Sequence, residues 1–255
     1  MIDHTANLRF LKSFGFLLTV FGSAFSNSVC GIGLGVYVGG LLLQVLMDRT
    51  YAWRPYPAKW LLAALLVSLL VSVVQSDDFW TSARGFGKYL QGFALLYAAL
   101  DIIREEKNKR AFICVLLLGW LLSALSGIYQ EFFGVDFVRG FKTNIYQGDI
   151  TRLTGTFKHC NDYGTFLAPG IVFGVAHLIH LARQKKWGAS LLGIIFLAVM
   201  SYVFMRTLSR SAILSAFAGL FFFCLFFRFR WHALLGLAVK MRIRTAHQPT
   251  KLAVA

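Results

Sequence analysis

Charged residues are scarce in this sequence, and acidic residues are the scarcest of them. Only 15% of the 255 residues are charged, and 11 aspartates and glutamates stand against 26 lysines and arginines. A typical soluble domain has about 25% charged residues and about 45–50% apolar ones. Here 57% of the residues are hydrophobic. This composition excludes an ordinary soluble domain and indicates a membrane protein.

Cysteine is also sparse, and the four residues are Cys30, Cys114, Cys160 and Cys224. They are far apart and form no CxxC pair, which argues against a disulfide framework or a zinc site. His177 and His180 are three residues apart on one predicted helix face, but no third metal ligand accompanies them at a matching depth. We therefore expect no metal and no cofactor.

Apolar runs of about 20 residues recur along the chain, and a helix of that length crosses a bilayer. The predicted fold class is all-α, a polytopic transmembrane helical bundle. One uncharged stretch, residues 13–47, is too long for one span and suffices for two, with a turn at residues 26–28. A cleaved signal peptide is the rival interpretation of the first run, but the apolar run resumes directly after it. Eight spans are predicted, at residues 12–26, 29–47, 59–76, 87–103, 111–130, 163–182, 188–206 and 211–228.

The basic residues are distributed unevenly between the two predicted faces of the membrane. Of the 26 lysines and arginines, 18 fall in segments on one side and 8 on the other. The positive-inside rule assigns the richer side to the cytoplasm, so both termini are predicted to be cytoplasmic. The basic charge lies in short loops between apolar runs. Its predicted partners are therefore membrane lipid headgroups, and no nucleic acid is expected.

The predicted transmembrane domain covers residues 1–230 and carries a mixed-charge external loop at residues 131–162. Residues 231–255 form a tail whose apolar run, Trp231 to Val239, is too short to cross a bilayer. We expect this tail to be either a cytoplasmic interfacial segment or the truncated beginning of a further part of the protein.

Two arginines, Arg152 and Arg210, lie at predicted membrane boundaries on the external side. A guanidinium group there is costly without an anionic partner, and its planar fork suits phosphate oxygens. The alternative is that each side chain extends to the lipid headgroups, as long basic side chains near span ends often do. The neighbouring residues favour a phosphate site, because glycine backbone and hydroxyl groups add donors. The predicted substrate contacts beside the arginines are Thr154, Gly155, Thr156 and Ser209.

A short polar segment before the sixth predicted span supplies further candidate contacts. Lys158 adds positive charge, and His159 could act as a general acid or base because its unperturbed pKa is near 6.5. Asn161 either caps the following helix or contacts the substrate. Cys160 has no evident third group to orient a Cys–His pair. The catalytic residues therefore remain unassigned.

The order of these motifs resembles that of the O-antigen ligase and O-antigen polymerase superfamily of bacterial envelope enzymes. The resemblance covers residues 110–228, whereas the first four spans match only in hydropathy. It rests on Gln130, Arg152, Gly155, Phe157, Asn161, Leu167, Pro169, Thr207, Ser209, Arg210 and Ser211.

The resemblance implies a multi-pass protein of the bacterial inner membrane that works on its periplasmic face in lipopolysaccharide biosynthesis. Ligases of the family transfer a glycan from undecaprenyl pyrophosphate to lipid A–core without a metal. Related polymerases use a growing glycan as acceptor, and related oligosaccharyltransferases use a protein. The implied role of Arg152 and Arg210 is to hold the pyrophosphate.

The sequence departs from the family pattern at its C-terminal end. Family members continue for several more spans, and a larger external loop among them supplies a catalytic histidine. The segment after Phe227 in this sequence has no counterpart of that loop. Family chains also often carry proline where Cys160 stands. The alternatives to a ligase are a polymerase or oligosaccharyltransferase, a transporter of a lipid-linked glycan, and an inactive fragment.

Overall fold

The computed structural model describes residues 4–48, 51, 55–56, 59–146 and 150–229, and in this part of the chain the fold is all-α. Each predicted span overlaps one helix, so the all-α part of the predicted fold class is confirmed. The tail at residues 231–255 lies outside the described residues. The helices are α1 (His4–Gly22), α2 (Asn27–Met47), α3 (Lys59–Val74), α4 (Phe79–Ile102), α5 (Glu106–Phe133), α6 (Cys160–Arg183), α7 (Trp187–Arg206) and α8 (Arg210–Phe229).

Four of these helices, α2, α5, α6 and α7, are long and apolar enough to cross a membrane. Two others, α3 and the stretch Arg210–Phe226 of α8, are apolar but shorter. Large hydrophobic side chains are exposed along these helices, among them Trp60, Leu192 and Leu214. Exposure of this kind is normal where side chains face lipid and unusual in a soluble monomer. The protein is therefore a helical membrane protein, whereas eight spans and the positions of the termini stay predictions.

The predicted 1–230 domain comprises two compact units. Among the described residues, the first unit runs to residue 143 and includes residues 155–158, and the second contains residues 144–154 and 159–229. Most of the first unit is formed by α1 to α5, in which α1 and α2 pack as an antiparallel hairpin. The close approach needs a residue without Cβ at Gly33, since a Cβ there would lie 2.5 Å from the backbone nitrogen of Thr19. The predicted turn at residues 26–28 lies slightly earlier, because α2 already begins at Asn27.

A buried ion pair joins α1 to α4 in the first unit. Lys12 Nζ lies 2.6 Å from Asp101 Oδ2, and both side chains are only 5% exposed. Tyr37 on α2 donates its hydroxyl to the same carboxylate oxygen at 3.2 Å. Both residues of the pair lie near the ends of predicted spans and are buried in the helix packing.

The loop before α4 is ordered by Asp78, which caps that helix. Asp78 Oδ1 accepts a hydrogen bond from the Thr81 backbone nitrogen at 3.1 Å. Hydrogen bonds from the side chain and then the backbone of Thr81, which favour the ionised form, hold the pKa of Asp78 below its usual value. Asp78 thus has a structural role.

The second unit is a three-helix arrangement with a small hairpin. Helix α6 packs against both α7 and α8. Strand β1 (Asn144–Tyr146) pairs antiparallel with β2 (Ile150–Arg152), with Asn144 opposite Arg152. The hairpin therefore ends on Arg152, the first of the two candidate arginines.

Candidate functional site

Arg152 fastens the end of the β hairpin to the turn between α7 and α8. Its Nε donates to the carbonyl oxygen of Thr207 at 2.8 Å, and its Nη2 donates to the carbonyl oxygen of Leu208 at 2.9 Å. Nη2 also donates to Asn161 Oδ1 at 3.1 Å. A planar guanidinium can serve three acceptors in fixed directions, which a lysine ammonium cannot reproduce. We call the Arg152 contacts with Thr207, Leu208 and Asn161 the arginine clamp.

The turn that the clamp holds has an unusual backbone. Leu208 has φ = 50°, in the left-handed region that branched and bulky residues rarely adopt. Thr207 ends α7, and its hydroxyl donates to the carbonyl oxygen of Phe204 at 2.7 Å. Left-handed backbone costs an L-residue roughly 1–2 kcal/mol, so surrounding contacts must fix it. The clamp bonds both the strained residue and the residue before it, and thereby fixes the start of α8.

The same turn is packed closely against α6 at Gly164. A Cβ at this position would lie 2.9 Å from the Cβ of Ala212, 3.0 Å from that of Ser209 and 3.0 Å from Thr207 Oγ1. Real Cβ atoms rarely come so close to other atoms, so a larger residue would displace the turn. Glycine here lets α6 hold the α7–α8 turn at backbone distance, as small residues do between membrane helices.

Arg210 is the first residue of α8 and stands outside the packed part of the turn. Its side chain is exposed, and its guanidinium forms no hydrogen bond or ion pair among the described residues. Ser209, directly before it, is fully buried, and its Oγ accepts from the Ala212 backbone nitrogen at 3.4 Å. Arg152 bonds the carbonyl oxygen of Leu208, so its guanidinium lies beside the turn from which α8 begins two residues later at Arg210, although 58 positions separate the two arginines in the sequence.

The residues around the start of α6 take different roles from those expected. Asn161 does not cap α6, because the helix begins at Cys160 and its N-cap is His159. The side chain of Asn161 instead accepts a bond from Arg152. His159 is exposed in extended backbone and makes no side-chain capping bond, whereas Cys160 is buried.

The predicted phosphate donors at residues 154–156 have partners within the protein, and their contact with a substrate stays a prediction. In the first unit the Gly155 backbone nitrogen donates to Gln130 Oε1 at 2.9 Å, and the Thr156 hydroxyl donates to the carbonyl oxygen of Ala24 at 2.6 Å. Thr154 is fully buried in the second unit. These groups therefore build the scaffold. Lys158, in contrast, is exposed.

Two buried polar residues, one at the end of α5 and one in the loop after it, make more hydrogen bonds than the sequence suggested. Gln130 at the end of α5 is fully buried and also donates to the carbonyl oxygen of Phe141 at 2.8 Å. Asp136 is 2% exposed and accepts from the backbone nitrogens of Val138, Arg139 and Phe141 at 2.6–2.8 Å. An aspartate followed by a glycine a few residues later is a turn signal that could have identified Asp136.

The described residues contain no group of three or more potential metal ligands. His177 and His180 pack with ring centroids 6.4 Å apart, and His177 stacks on Phe173 at 6.2 Å. The two histidines and Phe173 are therefore ring neighbours along one face of α6.

No protein-family model matches the chain, and no curated protein or solved structure matches it either. Function is therefore argued from the chemistry of the site. The arrangement offers one guanidinium locked in direction by neutral acceptors, a second guanidinium that is exposed, and the first turn of a helix, whose backbone N–H groups attract anions. Such an arrangement can bind a group with several anionic oxygens.

Proposed function

We propose that the protein is a multi-pass protein of the bacterial inner membrane that binds a lipid-linked pyrophosphate at the α7–α8 turn. The proposed activity is O-antigen ligase-type transfer of a glycan from undecaprenyl pyrophosphate to lipid A–core on the periplasmic face. The observation that carries the proposal is the arginine clamp, which fixes a strained turn beside the exposed Arg210.

The clamp supports this function because it fixes the direction of a guanidinium fork. The carbonyl oxygens of Thr207 and Leu208 and the amide oxygen of Asn161 orient the Arg152 side chain. Arg210 is exposed and follows Leu208 by two residues, so a dianionic or trianionic pyrophosphate at this turn has two guanidinium forks to bind. A carboxylate would offer less charge and fewer oxygens to the two guanidinium forks.

Glycosyl transfer from a lipid pyrophosphate breaks the bond between the anomeric carbon and the pyrophosphate oxygen. Negative charge then develops on the leaving pyrophosphate, and cations fixed in advance stabilise it more than they stabilise the bound substrate. In this scheme Arg210 contacts the pyrophosphate directly, while Arg152 positions the turn and adds to the local field. The acceptor hydroxyl still needs a general base, and this role stays unassigned.

The test compares three lysine substitutions that each preserve a positive charge. Arg210→Lys and Arg152→Lys should each lower glycan attachment, by roughly tenfold to more than a hundredfold, since a charge-assisted contact contributes about 1.5–3 kcal/mol. Arg84→Lys is the matched control, because Arg84 is an exposed basic residue on the same predicted face and lies outside the site. Attachment is measured in cells whose own ligase is deleted, with protein levels matched by immunoblot.

A binding measurement separates recognition from transfer. Purified protein in detergent should bind undecaprenyl pyrophosphate more tightly than undecaprenol, and Arg210→Lys should remove most of that preference. Equal affinity of the wild-type protein for both lipids would refute a pyrophosphate site. A retained preference without glycan attachment would favour the transporter alternative, which movement of the lipid-linked glycan across proteoliposomes would then identify.

A further inference from the structure

A polar cavity lies in the first unit, far along the chain from the arginine clamp. It has a volume of about 640 Å³ and is formed where the first turns of α1 meet the end of α4 and the start of α5. Ligand-binding cavities commonly measure about 300–1,000 Å³. Both charged and apolar side chains line it, so its chemistry restricts what it could hold.

The floor of the cavity is the buried ion pair of Lys12 and Asp101. Because the pair neutralises itself, the floor is polar and carries little net charge. Gln44 also lines the cavity, and its Oε1 is buried and has no hydrogen-bond partner among the described residues. A buried acceptor without a partner is costly, so this oxygen favours a ligand that brings a hydroxyl or amine donor.

The rim of the cavity is basic. Arg9 and Arg104 line it, both are exposed, and neither forms a hydrogen bond or an ion pair within the part of the chain that the structure describes. Lys107, a third basic residue at the rim, lies 3.5 Å from the carboxylate of Glu105. Glu105 also lines the cavity, so Arg9, Arg104 and Lys107 leave a basic excess there, and two guanidinium groups without a bonded partner can bind phosphate.

An apolar surface adjoins this basic rim. Phe10 and Phe14 line the cavity, are 72% and 51% exposed, and stack with ring centroids 6.3 Å apart. A soluble phosphate compound would leave these rings in water, whereas a lipid would cover them with an acyl chain. The rim also lies on the face that the basic-residue count predicts to be cytoplasmic, where anionic lipids attract basic residues.

We propose that this cavity binds the headgroup of an anionic phospholipid. Its phosphate lies between Arg9 and Arg104, a hydroxyl of the headgroup donates to Gln44 Oε1, and an acyl chain runs along Phe10 and Phe14. Phosphatidylglycerol has this combination of one phosphate charge and free hydroxyls and serves as the probe. The site is independent of the pyrophosphate site, which involves other helices and the opposite predicted face.

The test counts lipids that stay bound to the purified protein in native mass spectrometry. Wild-type protein should retain phosphatidylglycerol in preference to phosphatidylcholine. The double variant Arg9→Gln/Arg104→Gln should bind phosphatidylglycerol about 30-fold more weakly, which corresponds to two basic contacts near a membrane surface. The control Lys109→Gln/Arg110→Gln removes the same charge at the same end of α5, outside the cavity, and should bind like wild type.

A second variant tests the cavity rather than the charge. Ser13→Phe fills the lined space while keeping both arginines, and it should also release the lipid. Unchanged binding by Ser13→Phe, or equal losses in the two charge variants, would overturn the proposal in favour of general surface attraction. Displacement of the lipid by millimolar inorganic pyrophosphate would overturn it in favour of a soluble phosphate ligand. Size-exclusion profiles confirm that each variant is folded.

Discussion

Replacing Arg152 by lysine should open the α7–α8 turn while leaving the helices in place. Arginine serves three acceptors in this structure: the carbonyl oxygens of Thr207 and Leu208 and the side chain of Asn161. Lysine keeps the charge but offers one compact ammonium group, which can reach about one of the three. The substitution therefore tests the fork of Arg152 and leaves the net charge unchanged.

The expected size of the effect follows from the bonds that are lost. Hydrogen bonds to charged groups contribute about 1.5–3 kcal/mol each, and the exposed position of the Nη2 bonds places them at the low end. Loss of about two such bonds removes roughly 2–3 kcal/mol from the turn. This exceeds the roughly 1–2 kcal/mol that left-handed backbone costs at Leu208, so the backbone should relax.

A buried thiol reports this opening directly. Ser209 is fully buried, so a Ser209→Cys probe in a variant without the four native cysteines should react slowly with a membrane-impermeant maleimide. If opening is fast compared with labelling, the rate follows the open fraction. A loss of about 2 kcal/mol should then raise the labelling rate about 30-fold in Arg152→Lys. Arg84→Lys, with the same probe, should label at the rate of the parent.

Equal labelling of the parent protein and the Arg152→Lys variant would show that the clamp does not hold the turn, and Arg152 would then be a headgroup contact. Arg210→Lys separates the two roles further. The Arg210 guanidinium is exposed and contributes nothing to the packed turn, so this variant should lose glycan attachment without faster labelling. If Arg210→Lys labelled as fast as Arg152→Lys, the proposed division between an orienting and a binding arginine would fail.

Three further predictions concern packing, the buried ion pair and topology. Gly164→Ala should displace the α7–α8 turn, and this overpacking should lower the free energy of unfolding by about 1–3 kcal/mol. The measurement is a lower melting temperature in detergent. Lys12→Met should destabilise the first unit by about 3–5 kcal/mol because it leaves a buried carboxylate, whereas Lys12→Met combined with Asp101→Leu should restore most of the stability. A cysteine at Ile145 should react with impermeant reagent from the periplasm, and one at Asn108 should not.

Each of these predictions has an internal comparison. Gly188 is a helical glycine with open space around its Cβ position, so Gly188→Ala should melt like wild type. If Gly164→Ala also melts like wild type, α6 does not hold the turn. If Lys12→Met/Asp101→Leu were as unstable as Lys12→Met alone, apolar side chains could not replace the ion pair in this packing. Reversed cysteine labelling would place both arginines in the cytoplasm and remove the periplasmic function.

The helices were predictable because their signal is local. Apolar runs near 20 residues fix helix positions in a membrane protein, and α6 begins within three residues of the predicted span start at residue 163. Helix ends were less predictable, since α1 starts eight residues before the predicted span start at residue 12. Polar residues in the first turns of α1 can remain helical because part of that helix is packed against α2 and α4.

The partners of the site residues were not predictable, because they lie far away in the sequence. The sequence pointed to Arg152, Asn161 and Arg210 together, but not to the carbonyl oxygens 55 and 56 positions from Arg152. It assigned Gly155 to a phosphate, whereas Gln130, 25 positions earlier, takes its backbone donor. The sequence shows that glycine and hydroxyl donors occur together at residues 154–156. Whether such a donor binds a ligand or a protein acceptor depends on tertiary contacts, which the sequence does not show.

The two arginines explain why a strained turn would persist at this place. Arg152 could be replaced by a neutral donor such as glutamine if its only task were to bond carbonyl oxygens, and Leu208 could be replaced by glycine to remove the strain. The chain instead places the charged fork of Arg152 against the turn, and a second guanidinium, that of Arg210, follows Leu208 by two residues. In the proposed function, an anion on the outer side of Arg210 adds the contacts for which these two side chains are placed. The combination of basic side chains and backbone strain at one helix start is what we propose to serve a multiply charged ligand.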